Sequence, residues 1–161
     1  MYANIRDCHR AQPGYLHYPL LYDKINAMIY TSTSEKQTEQ IAADFAKSLA
    51  VGDVVALFGN LGAGKTAFVR GMAAGLGYTG TVTSPTFNLL HQYDGTVRLS
   101  HYDLYRINGA DDLEELGYYD LLDTDILAIE WSERIHKVLP KNAKRVTLTR
   151  IDDMTREIEI C

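Results

Sequence analysis

The stretch Val54-Val55-Ala56-Leu57-Phe58-Gly59-Asn60-Leu61-Gly62-Ala63-Gly64-Lys65-Thr66 decides how the rest of the chain is read. Five apolar residues suit a buried strand, and GNLGAGKT follows them at once. This order of strand, glycine-rich turn and GKT is the phosphate-binding P-loop. Glycines let consecutive backbone N–H groups turn inward around a polyphosphate. A helix opening at Lys65 adds free N–H groups and the positive end of its dipole. The motif assigns Lys65 to the β and γ phosphates and the Thr66 hydroxyl to Mg²⁺. Asn60, Leu61, Gly62, Ala63 and Gly64 supply the cradle, so a nucleoside triphosphate site is expected here.

Outward from this loop the pattern alternates between helix and strand. Ser34 and Gln37 form a capping box before Ile41, Ala42, Phe45, Ala46 and Leu49 at helical spacing. A second helix is expected from Lys65 to Leu76, stopped by Gly77. Thr81–Thr83 reads as short and β-like, and Pro85 keeps Ser84 out of the helical region. Phe87–Tyr93 and Val97–Tyr105 flank Asp94-Gly95 as a hairpin. Asn108 caps a short helix carrying Leu113 and Leu116, and a second short helix covers Tyr118–Leu122. Asp125–Trp131 reads as a buried strand, with Ser132 capping a helix from Glu133 to Val138. Arg145–Ile151 and Arg156–Ile160 are closing strands around Asp152-Asp153. The fold class is α/β: a P-loop NTPase fold, with a mostly parallel central sheet, antiparallel edges and helices on both faces. Residues 28–161 form that domain, with Met28 opening its first strand. Residues 1–27, with Pro13, Gly14 and Pro19, form an N-terminal extension: a weakly ordered arm or a non-native start.

Bulk composition narrows the function. The 161 residues carry a net charge of −5 and 46% hydrophobic residues. An acidic chain does not grip nucleic acid along an extended surface, so any nucleic acid is served through a partner. No apolar run reaches membrane-spanning length, and the start lacks the apolar centre of a signal peptide. Cys8 and Cys161 show no metal-ligand spacing and fit a reduced, cytoplasmic chain.

Three further constellations carry chemistry. Ile126–Ile129 followed by Glu130 places an acid at the end of a buried strand, where a P-loop site draws its second Mg²⁺ carboxylate. Trp131 follows, either near the nucleotide or in the core. In His101-Tyr102-Asp103-Leu104-Tyr105-Arg106, alternation sets His101, Asp103 and Tyr105 on one face. Asp103 is a candidate to orient an attacking water or join the outer shell of the metal. The competing reading is an amphipathic strand with a solvated face. Ser84 and Thr86 are a candidate γ-phosphate switch, against ordinary loop hydroxyls. Glu35 reads as a first-turn acid, and Asp111, Asp112, Glu114 and Glu115 as a solvated helix face.

GNLGAGKT, SPTF, HYDLYR and LAIEW, in that order, resemble the TsaE (YjeE) family, the small P-loop ATPases of bacterial tRNA threonylcarbamoyladenosine biosynthesis. The resemblance covers Ile29 to about Ile160. It implies ATP and Mg²⁺ as ligands, and catalytic roles for Lys65, Glu130 and Asp103. Thr66 and Glu130 would hold the metal, and Ser84–Phe87 would form the switch segment. It also brings Glu35 and Trp131 near the nucleotide and makes Arg156 a candidate beside the adenine. Implied partners are TsaD-type and TsaB-type subunits, with tRNA reached only indirectly and no membrane. Two alternatives stay open: a small-molecule P-loop kinase and a nucleotide-gated binding module with negligible turnover. Against the kinase, only Arg70, Arg98 and Arg106 lie between the P-loop and Leu116, without the arginine cluster of a kinase lid.

Overall fold

The structure, a computed structural model, describes residues 4–7, 26–107 and 112–161. The expectations for Asn108, for Asp111 and for most of the N-terminal extension lie outside these residues. Of the extension, Asn4–Asp7 (β1) pairs as an edge strand, antiparallel to β2 (Asn26–Ser32).

The apolar run Val54–Phe58 forms β3, near the middle of an eight-stranded sheet ordered β1-β2-β8-β7-β3-β6-β5-β4. The remaining strands are β4 (Leu90–Asp94), β5 (Arg98–Asp103), β6 (Ile126–Glu130), β7 (Lys144–Arg150) and β8 (Arg156–Ile160). β7, β3, β6 and β5 are mutually parallel, and all the other pairings are antiparallel. Parallel strands are covered on both faces, which is why β3 and β6 read as continuous apolar runs. Val55, Leu57, Ile126, Ala128 and Leu99 face one core, under α1 (Glu35–Ala46) and α2 (Lys65–Gly75). Val54, Leu127, Ile129 and Tyr102 face the other, with Leu113 of α3 (Asp112–Glu115) and Tyr118 of α4 (Tyr118–Leu121). Helices therefore cover both faces, as expected.

Local signals account for the helix ends. Ser34 Oγ accepts from the Gln37 N–H at 3.2 Å, while Gln37 Oε1 reaches back to the Thr33 N–H at 2.8 Å. Gly77, at φ 88°, stops α2. α1 and α2 pack backbone to backbone at Gly71, where a Cβ would sit 2.1 Å from the Glu39 carbonyl oxygen.

Several expectations need correction. Thr81–Thr83 is irregular, with Val82 plugging the core instead of extending a strand. The first hairpin strand begins at Leu90, because residues 86–89 turn and Leu89 takes a positive φ of 63°. Glu133–Val138 is not an α-helix: Ser132–Ile135 forms a single 3₁₀ turn. Ser132 does not cap it, since its hydroxyl donates to the Ile129 carbonyl at 2.7 Å. β5 has no solvated face, because every residue from Leu99 to Asp103 is buried. Cys161, expected as a thiol, is disulfide-bonded. Among the described residues no helix is long and apolar enough to cross a membrane.

Candidate functional site

Three parallel strands end at the same edge of the sheet. Register sets Leu57 beside Glu130, and Glu130 beside Asp103. The P-loop leaves β3 at this edge, so the GKT sequence and both acids are brought together by strand pairing alone. Ligands of open parallel sheets bind at this carboxyl edge.

The loop turns sharply at Gly59, at φ 139°, where a Cβ would lie 2.4 Å from the Leu148 carbonyl oxygen. Gly64, at φ 105°, opens α2. Leu61 stands outward at 81% exposure, whereas Ala63 is buried. Lys65 is buried, and its Nζ donates to the carbonyls of Gly59 at 2.6 Å and Asn60 at 3.2 Å. It also sits 4.0 Å from the centre of the Trp131 ring. Burial holds the Lys65 pKa below the ordinary lysine range, opposed by the charges of Glu130, Glu133 and Asp103. A polyphosphate there would strengthen that opposing attraction.

Glu130 Oε1 accepts from Thr66 Oγ1 at 2.8 Å and lies 2.9 Å from His101 Nε2. Asp103 Oδ2 accepts from Ser84 Oγ at 2.8 Å and Thr86 Oγ1 at 3.1 Å, and Oδ1 accepts from the Tyr105 N–H at 3.1 Å. Both carboxylates are only 4% exposed. The loop hydroxyls thus meet the hydrolytic candidate directly. Trp131 takes a positive φ of 61° immediately after Glu130, a strained backbone state of the kind that collects at functional sites. Its ring lies 4.9 Å from that of Tyr105.

These groups line a cleft of about 520 Å³, within the usual range for small-molecule sites. Of the residues read from sequence, Glu35, Leu61, Gly62, Gly64, Lys65, Thr66, Ser84, Thr86, Asp103, Glu130, Trp131 and Arg156 line it. Asn60 and Ala63 shape the loop without lining the cleft. Glu35 pairs with Arg70 at 2.5 Å, and Arg70 also bonds Glu39 at 2.6 Å. Arg156 Nη1 is engaged with the Asp152 carbonyl at 3.0 Å. Arg106 stacks over Phe87 at 4.7 Å.

Sequence reasoning placed His101 on the Asp103 face but did not pair it with Glu130. Arg70 and Tyr105 were not expected to line the cleft. Arg70, five residues past Lys65, carried a signal only through the length of α2. The donor set suits Mg²⁺: a hydroxyl and a carboxylate, both hard oxygen ligands, in contact beside a phosphate cradle. Among the described residues no three His, Cys, Asp or Glu side chains converge as a metal cage. Mg²⁺ usually takes one or two carboxylates plus substrate phosphates and water, so this sparse set fits it.

The model of one protein family, described as "Threonylcarbamoyl adenosine biosynthesis protein TsaE", matches residues 32–158. Similar proteins carry the name "tRNA threonylcarbamoyladenosine biosynthesis protein TsaE". The one from Treponema pallidum is 38% identical over 130 residues, covering 80% of this chain and 96% of the relative. The one from Bacillus subtilis is 40% identical over 125 residues, covering 76% of each chain. The one from Haemophilus influenzae is 42% identical over 109 residues, covering 66% of this chain and 68% of the relative. The crystal structure of Bacillus subtilis YdiB superposes with a TM-score of 0.70 at 33% identity, over 83% of this chain and 84% of that one.

Proposed function

The chain belongs to the TsaE family, and from that premise we propose that it is a Mg²⁺-dependent ATPase of tRNA threonylcarbamoyladenosine biosynthesis. Its nucleotide state resets a threonylcarbamoyl-transferase complex of TsaD-type and TsaB-type subunits in the cytoplasm. The chain does not touch the tRNA chemistry itself, in keeping with its net charge of −5. The observation that carries the reading is the 2.8 Å contact of Thr66 with Glu130. It joins the P-loop helix to the end of the neighbouring strand, as a Mg²⁺–nucleotide site requires.

Each residue has a defined task. The loop N–H groups and the start of α2 bind the phosphates, and Lys65 exchanges its loop carbonyls for β and γ oxygens. Thr66 and Glu130 would hold Mg²⁺, which when bound neutralises the charge developing on the phosphoryl oxygens. Asp103 accepts a hydrogen bond from the attacking water and orients it. Ser84 and Thr86, bonded to Asp103, report whether the γ-phosphate is present. Of the three arginines between the P-loop and Leu116, Arg70 lines the cleft but is paired with Glu35 and Glu39, Arg98 is paired with Asp94, and Arg106 stacks over Phe87. That supports hydrolysis over phosphoryl transfer to a small acceptor.

The test is co-purification with TsaD-type and TsaB-type subunits, with and without ATP, followed by phosphate release. Nucleotide-dependent association and turnover raised by the partners are expected. ATP binding with the same negligible turnover in both states would favour the gated binding module instead.

A further inference from the structure

We propose that His101 is a positioning residue for Glu130, holding its carboxylate in the orientation that meets Thr66 and the metal. The inference rests on the nucleotide-site reading above and deepens it. His101 lies on β5, two residues before Asp103, and register sets it beside Ala128 of β6. From there its fully buried ring reaches the end of the next strand, with Nε2 2.9 Å from Glu130 Oε1. A carboxylate oxygen accepts, so Nε2 must carry the hydrogen. The same oxygen takes the Thr66 hydroxyl at 2.8 Å. Two donors on one oxygen fix the plane of the carboxylate and leave Oε2 outside both bonds.

The other ring nitrogen points away from polar company. Nδ1 is buried and has no hydrogen-bond partner among the described residues. Buried polar atoms are normally paired, so a histidine kept only for packing has little reason to occupy this place. Among the described residues its one hydrogen bond is with the acid proposed to hold the metal. Tyr93 steadies the ring, with centroids 6.2 Å apart, and donates its own hydroxyl to the Thr83 carbonyl at 2.9 Å. The imidazole therefore stands between Glu130 and the aromatic anchor of the segment that carries Ser84. Partners of this kind orient ligating carboxylates, and losing one typically costs about 10- to 100-fold in metal affinity.

The experiment titrates Mg²⁺ against a fluorescent ATP analogue, with parallel binding in excess EDTA. His101→Gln keeps an N–H donor at the reach of Nε2, whereas His101→Asn is too short to bond Glu130. His101→Asn is expected to raise the Mg²⁺ half-saturation about tenfold and leave binding in EDTA unchanged. His101→Gln is expected to stay near wild type. Equal shifts in the two variants, or an unchanged Mg²⁺ requirement in His101→Asn, would overturn the proposal. Nitrogen-15 NMR of the wild-type protein decides the same point without any variant. Nε2 should be the protonated nitrogen, and its signal should move when Mg²⁺ and nucleotide are added. A ring protonated at Nδ1 with a bare Nε2 would contradict the assignment. A wild-type protein whose nucleotide binding ignores Mg²⁺ would instead remove the site reading on which the proposal stands.

Discussion

Replacing Asp103 with Asn separates a catalytic carboxylate from a structural one. The carboxylate is 4% exposed and accepts three hydrogen bonds, from Ser84 Oγ, Thr86 Oγ1 and the Tyr105 N–H. An asparagine can keep its oxygen toward the Tyr105 N–H. Its amide then faces the two hydroxyls, which can rotate to accept. The contacts survive but lose their ionic character, a drop of about 1 kcal/mol for each bond to a charged group. Relief from burying a charge offsets part of this. The net cost is expected near 1 kcal/mol, a fall of about 3 °C in Tm at this chain length. The fold and the P-loop contacts stay intact, so ATP affinity should remain within about threefold, which is under 1 kcal/mol. Turnover should fall by at least about 100-fold, the lower end of what a positioned base contributes. The assays are ATP binding by calorimetry and phosphate release in the presence of the partner subunits. Unchanged turnover would remove Asp103 from hydrolysis, and lost binding would make its role structural.

Thr66→Ala removes one of the two donors on Glu130 Oε1 and one proposed metal ligand. Calorimetry should show ATP affinity that no longer improves when Mg²⁺ is added, and an intact Mg²⁺ effect would count against its role. Gly71→Ala drives a methyl into the Glu39 carbonyl 2.1 Å away. Urea unfolding should show a loss of about 1–3 kcal/mol, as for overpacked cores, and a loss under 0.5 kcal/mol would mean that α1 gives way freely. Among the described residues the buried Tyr118 hydroxyl has no hydrogen-bond partner, and burial pushes its pKa up to about 12. The unfolded chain ionises first as pH rises past the ordinary tyrosine value of 10.0, so folded stability falls above that pH. Tyr118→Phe should match or exceed wild-type stability at neutral pH and lose less at pH 11. Tyr102→Phe, which forfeits a 3.1 Å bond to the Leu116 carbonyl, should cost about 1 kcal/mol at neutral pH. Urea unfolding at both pH values checks the pair, and a destabilised Tyr118→Phe would refute the unpaired hydroxyl.

What the sequence made legible was local or periodic. The P-loop, the Ser34 cap, the Gly77 stop and the apolar runs of β3 and β6 all depend on near neighbours, and all stand where expected. Glu130 was placed at a strand end by a general rule about parallel sheets, whereas Asp103 was placed by alternation on one face of a strand expected to run on to Tyr105. Their adjacency came only with the β5–β6 register. The His101 contact to Glu130 spans 29 residues across two strands, and no spacing announces it. Ser132 was misread because its hydroxyl turns back to Ile129 after Trp131 enters the left-handed region. That turn follows from tertiary packing of a bulky aromatic, which cap preferences do not include. Thr81–Thr83 has β-branched residues but finds no partner strand, and the need to bury Val82 overrides propensity.

The central claim is that Lys65, Thr66 and Glu130 make a Mg²⁺–ATP site whose hydrolysis serves a transferase complex. Phosphate release by the reconstituted complex tests it most directly, comparing wild type with Lys65→Ala and Glu130→Ala. The expected result is partner-stimulated turnover in wild type and its loss in both variants. Hydrolysis at the wild-type rate in either variant would contradict the claim.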